Sequence, residues 1–524
     1  MTNKSELDGH DATACAAKAE PESEQHLPLW RASFRMTLVT VASVAAAAMI
    51  ATGMTGCADM SGIASKAVLD DASSIGLPVK GGPSSDLSAK WWERFGDEQL
   101  NRLVEQALQN NPSLKIVQAR LARAQAVSEV ADAATMPQVG AQLDATRQRY
   151  TANGIVPPPL AGSMRNTGTA QLNASWEIDF FSKNHAALEA AVGSLRAAEA
   201  DAQAAHVLLA SNLARNYFQL VRLNELAVVA RRTLAQREES LKIVQGRVDA
   251  GLDTRLELRQ SQGGLPEARL QLESLTEQMA LSQNALAALT GQKNESNRPV
   301  ARSIPMQKAI KNIVLATTIP ADLLGRRADI TAARWRVEAS TQDVANAKAQ
   351  FYPNINLVAF AGFSSIGLSR LFDSGSQQWG VGPALRLPIF DAGRLRANLR
   401  GRAADQDAAV ESYNAAVADA VRDVKDHLAS IQSIASQQGE QHAASDAAED
   451  AYDVAKQRYK AGLGTYLNVL TAETNVLLQR RVAVELEARA LNTQVGLIRA
   501  LGGGYQAPSE LPQNATKTVA NGAR

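Results

Sequence analysis

The strongest constraint on this chain is that its sequence plan occurs twice. Ala250-Gly251-Leu252 and Ala461-Gly462-Leu463 stand 211 residues apart, and the same interval separates Gly291 from Gly502. Met136-Pro137 and Tyr352-Pro353 each close a helical stretch and open an alternating one. Phe181 and Phe390 each close a second alternating stretch. The interval changes only where loops are expected. Chance similarity between Ala-rich helices does not yield anchors of four kinds in one order. A duplication of this length fixes the element order of each half before any single element is considered.

Each copy opens with a helix, 113–135 and 329–350. Two strands follow, 138–147 and 169–181 in the first copy, 354–365 and 377–390 in the second. A very long helix comes next, 184–250 and 394–461. A Gly-containing turn reverses it into a last helix, 254–290 and 465–501. The expected organisation is therefore a first repeat over 113–291, a linker over 292–328, a second repeat over 329–502 and a flexible tail over 503–524. An N-terminal segment over 57–112 precedes them.

The strands carry the clearest period. From Thr169 to Phe180, Ala170, Leu172, Ala174, Trp176, Ile178 and Phe180 alternate with Thr169, Gln171, Asn173, Ser175, Glu177 and Asp179. In the second copy Ile355, Leu357, Ala359, Ala361 and Phe363 share a face, and so do Trp379, Val381, Leu385, Leu387 and Ile389, although Val358 and Phe360 fall on the other side. Such alternation fits a membrane barrel, apolar outside and polar within, which makes Leu172, Trp176, Ile178, Phe180, Trp379 and Leu387 the lipid-facing candidates. It also fits a soluble sandwich. Four strands are too few to close a membrane barrel, which needs about eight, so the membrane reading requires several copies of the chain.

The helices separate these readings. A helix over 184–250 is roughly 100 Å long at about 1.5 Å per residue, longer than a bilayer or a compact domain. Leu188, Val192, Leu195, Leu209, Leu213, Phe218 and Leu220 recur largely by threes and fours among Ala, Arg, Glu and Gln. That is a coiled-coil-like seam, too polar for lipid. The expected object is an α+β membrane protein: a β-barrel continued into water by a tube of helices.

Other classes find little support. Lys+Arg number 54 against Asp+Glu 53, so charge offers no argument for nucleic acid. Nucleotide, zinc-protease and serine-hydrolase motifs are absent, and neither a catalytic nor a metal site is expected, nor a cofactor. Met60, Met136, Met164, Met279 and Met306 are too scattered to form a thioether path for a soft metal.

The N-terminus reads as an export signal over 1–56 with a long n-region. Arg31 and Arg35 precede an uncharged run, Met36 to Met54, which ends in Met54-Thr55-Gly56-Cys57. These last four residues resemble a bacterial lipobox, with Cys57 the lipidated residue and Ala58 in place of the Asp that resembles an inner-membrane retention signal. The competing reading is one membrane-spanning helix, since the run approaches the roughly 20 residues needed.

Trp91-Trp92-Glu93-Arg94-Phe95 with Asp97, Leu100, Leu103 and then Asn111-Pro112 resembles the opening of the TolC-like outer-membrane factors, most of all efflux lipoproteins of the NodT type. Residues 319–330, Ile-Pro-Ala-Asp-Leu-Leu-Gly-Arg-Arg-Ala-Asp-Ile, resemble the family's signature opening its second repeat, with Ala328 where Pro is usual. Leu387-Pro388-Ile389-Phe390-Asp391-Ala392-Gly393 also matches. The resemblance implies a homotrimer anchored in outer-membrane lipid, a barrel of about 12 strands and a periplasmic helical tunnel. It further implies a periplasmic adaptor, an inner-membrane RND-type pump, and passive conduction of drugs and toxic small molecules. A channel for type I protein secretion and a pore-free envelope coiled coil are the alternatives.

The resemblance also places the closing tip of the tunnel at the two helix turns. The first carries Asp253, Arg255 and Glu257, expected to form interprotomer ion pairs or a charged ring. The second carries Tyr459, Gly462, Gly464, Asn468 and Thr471. Relatives often have acidic residues near the positions of Asn468 and Thr471, which are uncharged here. Gly263-Gly264-Leu265-Pro266 is expected to interrupt and kink the last helix of the first copy, so that helix geometry near the tip is unequal between copies, and Ala328 to loosen the start of the second.

Overall fold

A computed structural model describes residues 60–70, 88–291 and 326–505. The export signal, Cys57, most of the 292–328 linker and the tail beyond Tyr505 lie outside the described residues. One turn of 3-10 helix, Trp91–Phe95, leads into α1, Glu98–Asn110, and α2, Pro112–Ala133. Then come β1, Gln138–Arg149, and β2, Met164–Ile178, followed by α3, Lys183–Asp249, and α4, Arg255–Thr290. The second copy consists of α5, Ala328–Ala349, β3, Asn354–Ile366, β4, Gln377–Arg386, α6, Arg394–Lys460, and α7, Tyr466–Ala500.

The four strands form one antiparallel sheet in the order β1-β2-β3-β4, so β1 and β4 are its edges. Ala141, Leu172, Ala361 and Trp379 stand in one cross-strand row, and Val139, Ala174, Ala359 and Val381 in another. The opposite face carries a chain of amides. Gln378 Nε2 donates to Gln171 Oε1 at 2.8 Å, Gln171 Nε2 to Asn173 Oδ1 at 2.9 Å and Asn173 Nδ2 to Gln142 Oε1 at 3.3 Å. Every residue of β1 is exposed, and Leu172, Trp176 and Trp379 are exposed as well. Trp176 keeps its indole donor engaged, to the Thr135 carbonyl at 3.0 Å. Phe360, out of pattern in the sequence, lies opposite Gly380, and its ring occupies the space a Cβ there would need.

Two of the lipid-facing candidates change status. Phe180 is exposed but lies beyond the end of β2, and Leu387 is half-buried beyond the end of β4, where Pro388 follows. Ile178 is the last residue of β2 and half-buried against Ile355. β2 instead begins earlier than expected, at Met164, where polar Arg165, Asn166 and Thr167 weaken the alternation.

The helices pack according to residue size. Ala186, Ala190, Gly193, Ala197 and Ala200 of α3 are buried at alternating steps of four and three, the spacing of a coiled-coil seam. A Cβ on Gly193 would lie 3.1 Å from that of Ala339 in α5, so the two backbones approach closely. Farther along α3 the seam widens to Leu209, Leu213, Tyr217 and Leu220. There it meets Trp91, Phe95, Leu100 and Val104 in the main apolar cluster, with Leu491 and Ile498 of α7. Each such side chain contributes about 1.5–3 kcal/mol when fully buried. The segment expected as a plain N-terminal stretch thus holds a helix and part of the core. Asp97 caps α1 by accepting from the Gln99 and Leu100 amides, and it also accepts from the Tyr217 hydroxyl.

Both copies close in the same way. Asn111, capping α2, donates to the Leu289 carbonyl at 2.8 Å, and Arg327, preceding α5, donates to the Ala500 carbonyl at 3.3 Å. Gly291 and Gly502 both have positive φ and pack against the carbonyls of Asn110 and Arg326. α5 starts at Ala328 itself, which is buried, and Arg327 grips Asp329 through Nη2 at 2.7 Å. These contacts hold the helix start that Pro was expected to secure. The tail also begins differently from expectation: Gly503 packs on Val207, Gly504 on the Ser88 carbonyl, and Tyr505 is buried. Nor does Gly-Gly-Leu-Pro break a helix, since α4 runs unbroken through Pro266. Pro266 sits on the exposed side of the helix.

Gly502→Ala is expected to lower the stability of the purified protein by at least about 1 kcal/mol, because an L side chain is strained at positive φ, as read by denaturant unfolding. Gly401→Ala, in open space inside α6, is expected to raise it by about 0.5–1 kcal/mol.

Candidate functional site at the helical tip

At the end of the helices away from the sheet, the two turns share one backbone. Gly251 and Gly462 both have positive φ. The Leu252 amide donates to Arg247 O at 2.8 Å, and the Leu463 amide to Arg458 O at 2.8 Å. These bonds cap the long helices and reverse the chain. In both turns the leucines stand out into solvent: Leu252, Leu256, Leu463 and Leu467 are 62–70% exposed.

Side chains then make the turns unlike. Asp253 occupies the position that Gly464 holds in the second copy. Its carboxylate accepts from Arg247 Nε at 2.9 Å and from the Tyr459 hydroxyl, whose hydrogen bond is short. Arg247 also donates from Nη1 to the Tyr459 carbonyl at 3.1 Å and lies over its ring. This cluster joins the α3–α4 hairpin to the end of α6. Burial pushes the Asp253 pKa up, but the hydrogen bonds from Arg247 and Tyr459 outweigh it and hold the carboxyl below its usual range. Burial and the carboxylate beside it push the Tyr459 phenol well up, so it stays protonated and donating. Tyr466, at the position of Arg255 in the first copy, is buried against Tyr459 with ring centroids 5.6 Å apart.

The structure gathers only some of the expected tip residues. Asp253 and Tyr459 meet within one protomer. Glu257 is committed locally: it accepts from the Thr254 amide at 3.0 Å while Thr254 Oγ1 accepts from the Leu256 amide at 3.1 Å, a capping box. Within one protomer, then, Asp253 pairs with Arg247 and Tyr459, and Glu257 serves as a helix cap. Arg255 is exposed. Asn468 and Thr471 are exposed, and the Thr471 hydroxyl donates back to the Leu467 carbonyl at 2.9 Å. With Asn468 in place of Glu257, Thr465 makes no side-chain cap. A Cβ at Gly464 would make ordinary contact with Arg458 Cβ at 3.6 Å, without a clash. Arg247 was missed in the sequence; its position six residues before Asp253, across a Gly turn, was the available signal.

Among the described residues no group of side chains is arranged to hold a metal ion, and no helix is long and apolar enough to cross a membrane.

The comparisons agree with this architecture. The sequence pattern of the family described as "Outer membrane efflux protein" matches residues 103–292 and again 319–503, one match per copy. The multidrug resistance outer membrane protein MdtQ of Escherichia coli O157:H7 is 32% identical over 428 residues, covering 80% of this chain and 88% of the relative. MdtP of Escherichia coli K12, named a multidrug resistance outer membrane protein, is 30% identical over 444 residues, covering 83% of this chain and 90% of the relative. Among solved structures, the outer membrane protein VceC of Vibrio cholerae superposes with a TM-score of 0.74 at 36% identity, covering 80% of this chain and all of VceC. With a four-stranded sheet at one end and the helical hairpins at the other, the chain belongs to the outer membrane efflux protein family and is an outer-membrane channel subunit of an efflux system.

Proposed function

We propose that three copies assemble into a passive conduit for small molecules, closed at its periplasmic tip by the Asp253, Arg247 and Tyr459 cluster. One observation carries this reading: among the described residues the sheet has two unpaired edges, and the edge strand β1 is exposed along its whole length. Backbone groups at such edges must be satisfied in lipid, and pairing β4 of one copy with β1 of the next does so. Three copies give a barrel of about 12 strands. The apolar rows then face lipid and the amide chain faces the lumen.

The exposed leucines at the two turns suit a partner that brings apolar side chains to the tip. We assign that partner as a periplasmic adaptor, which would in turn engage an RND-type inner-membrane pump supplying the energy. The anchor is assigned to Cys57. Residues 60–70 support it: Arg396 near the sheet end of α6 donates to Ser61 O at 3.4 Å. Asp407 farther along accepts from Ser65 Oγ at 2.7 Å and the Lys66 and Ala67 amides, and Asn414 accepts from the Asp70 amide at 2.9 Å. The segment thus runs along α6 away from the sheet, with its start, nearest Cys57, beside the barrel.

The test is complementation of a deletion strain, scored by drug susceptibility. Wild type is expected to restore resistance. Leu172→Asp is expected to abolish resistance and outer-membrane insertion, because a charge in lipid is costly; insertion at the wild-type level would refute the barrel. Cys57→Ala is expected to take up no labelled lipid. Leu252→Asp with Leu463→Asp is expected to insert normally and lose resistance if the tip receives the adaptor.

The gate has its own pH signature. The Asp253 carboxyl has a closed-state pKa below the ordinary value of 3.8. Its contribution is complete above that value and is lost as pH falls through the lower, closed-state pKa. Conductance of the purified channel in planar bilayers is expected to be flat from neutral pH down to about 4 and to rise below it, whereas Asp253→Ala is expected to conduct several-fold more throughout. Identical wild-type and Asp253→Ala conductance would refute the gate.

A further inference from the structure

The Gly-Gly-Leu-Pro run of α4 does not break its helix, but it makes a notch. An ideal Cβ on Gly264 would lie 3.4 Å from Arg237 Cδ of α3. The Arg237 guanidinium fills this notch. Nη1 donates to the Gly264 carbonyl at 2.7 Å and to Glu267 Oε2 at 3.0 Å. Its Nε faces Glu473 Oε1 of α7 at 3.6 Å, an ion pair across the boundary between the two hairpins. The Glu473 side chain is only 7% exposed, and this oxygen has no direct hydrogen bond.

The surroundings leave Glu473 dependent on Arg237. The next cation on α7, Arg480, is committed to both oxygens of Glu449 on α6, at 2.5 and 2.7 Å, and to Gln236 at 3.1 Å. Glu267, on α4, adds negative charge, and the Glu473 charge is felt by the buried Tyr452 of α6 and Tyr466 of α7, whose hydroxyls face the buried Ser240 and Ser261. Burial pushes the Glu473 pKa up against the pull of Arg237, as expected for a carboxyl largely removed from water. Arg237 precedes Arg247 by ten residues on α3, so this contact lies about 15 Å from the tip cluster.

We infer that Arg237 is a second positioning residue of the gate, joining the α6–α7 hairpin to the α3–α4 hairpin through Glu473 above the tip, so that this contact and the tip cluster each stabilise the closed state and loss of either favours opening. This rests on the tip being the gate. The physical basis is an asymmetry of buried pairs. Removing one partner strands a charge, whereas removing both leaves a nearly neutral interface.

The test measures conductance of the purified full-length channel in planar bilayers, with assembled oligomer quantified for every variant. Arg237→Ala is expected to raise conductance several-fold, and Arg237→Ala with Glu473→Gln is expected to bring it back toward wild type. Arg237→Lys keeps the charge but not the planar fork that serves Gly264 and Glu267 while facing Glu473, and is expected to fall between. Asp253→Ala runs beside them. If it opens the channel while Arg237→Ala and Arg237→Lys conduct as wild type, the second lock is refuted and the tip gate stands. If none of the variants conducts more, the gate itself is refuted. A double variant as open as Arg237→Ala refutes the pairing with Glu473. Failed assembly of Arg237→Ala with wild-type conductance in Arg237→Lys shows a structural residue only and also refutes the lock.

Discussion

A β-sheet with two open edges is incomplete wherever water cannot reach it. The outward backbone groups of β1 and β4 need partners, and among the described residues nothing packs over either face of β1. Lipid on one side and further strands at the edges meet both demands. The remaining features follow from that end of the molecule. The seam of Ala186, Ala190, Gly193 and Ala197 lets α3 and α5 leave the sheet close together. Larger residues take over where the N-terminal turn and α1 are inserted into the core.

The duplication sets the frame, and the differences between copies set the chemistry. Asn111 and Arg327 make the same closing bond to the end of their own hairpin, with an amide in one copy and a guanidinium in the other. The turns share hydrogen bonds and glycines, yet Asp253 faces Gly464 across the repeat, and Arg255 faces Tyr466. The first turn reaches the other hairpin with the Asp253 carboxylate, which meets the hydroxyl of the buried Tyr459, while at the end of α6 Lys460 reaches back to Glu239 of α3 at 3.8 Å.

Much of this was legible in the sequence because it is periodic. Alternation through Ala170, Leu172, Ala174 and Trp176 reports a two-faced strand directly, and paired anchors such as Gly251 and Gly462 report the duplication. Strand ends were less legible: Phe180 and Leu387 continue the alternation after the backbone has left the sheet. The tip cluster was only partly visible, since Asp253 and Tyr459 are 206 residues apart and their contact depends on helix register. Pro266 was misread for a similar reason. Local propensity predicts an interruption, but the helix continues through an exposed Pro266, with Arg237 donating to the Gly264 carbonyl beside it.

The amide chain on the polar face of the sheet has a consequence for transport. Gln378, Gln171, Asn173 and Gln142 spend their hydrogen bonds largely on one another. Neutral side chains satisfied by their neighbours neither attract a strong counter-ion nor hold a solute by desolvated charge. Turned inward, that stretch of wall offers amides already paired with one another, and the adjoining charge, Asp144, already accepts from Gln142.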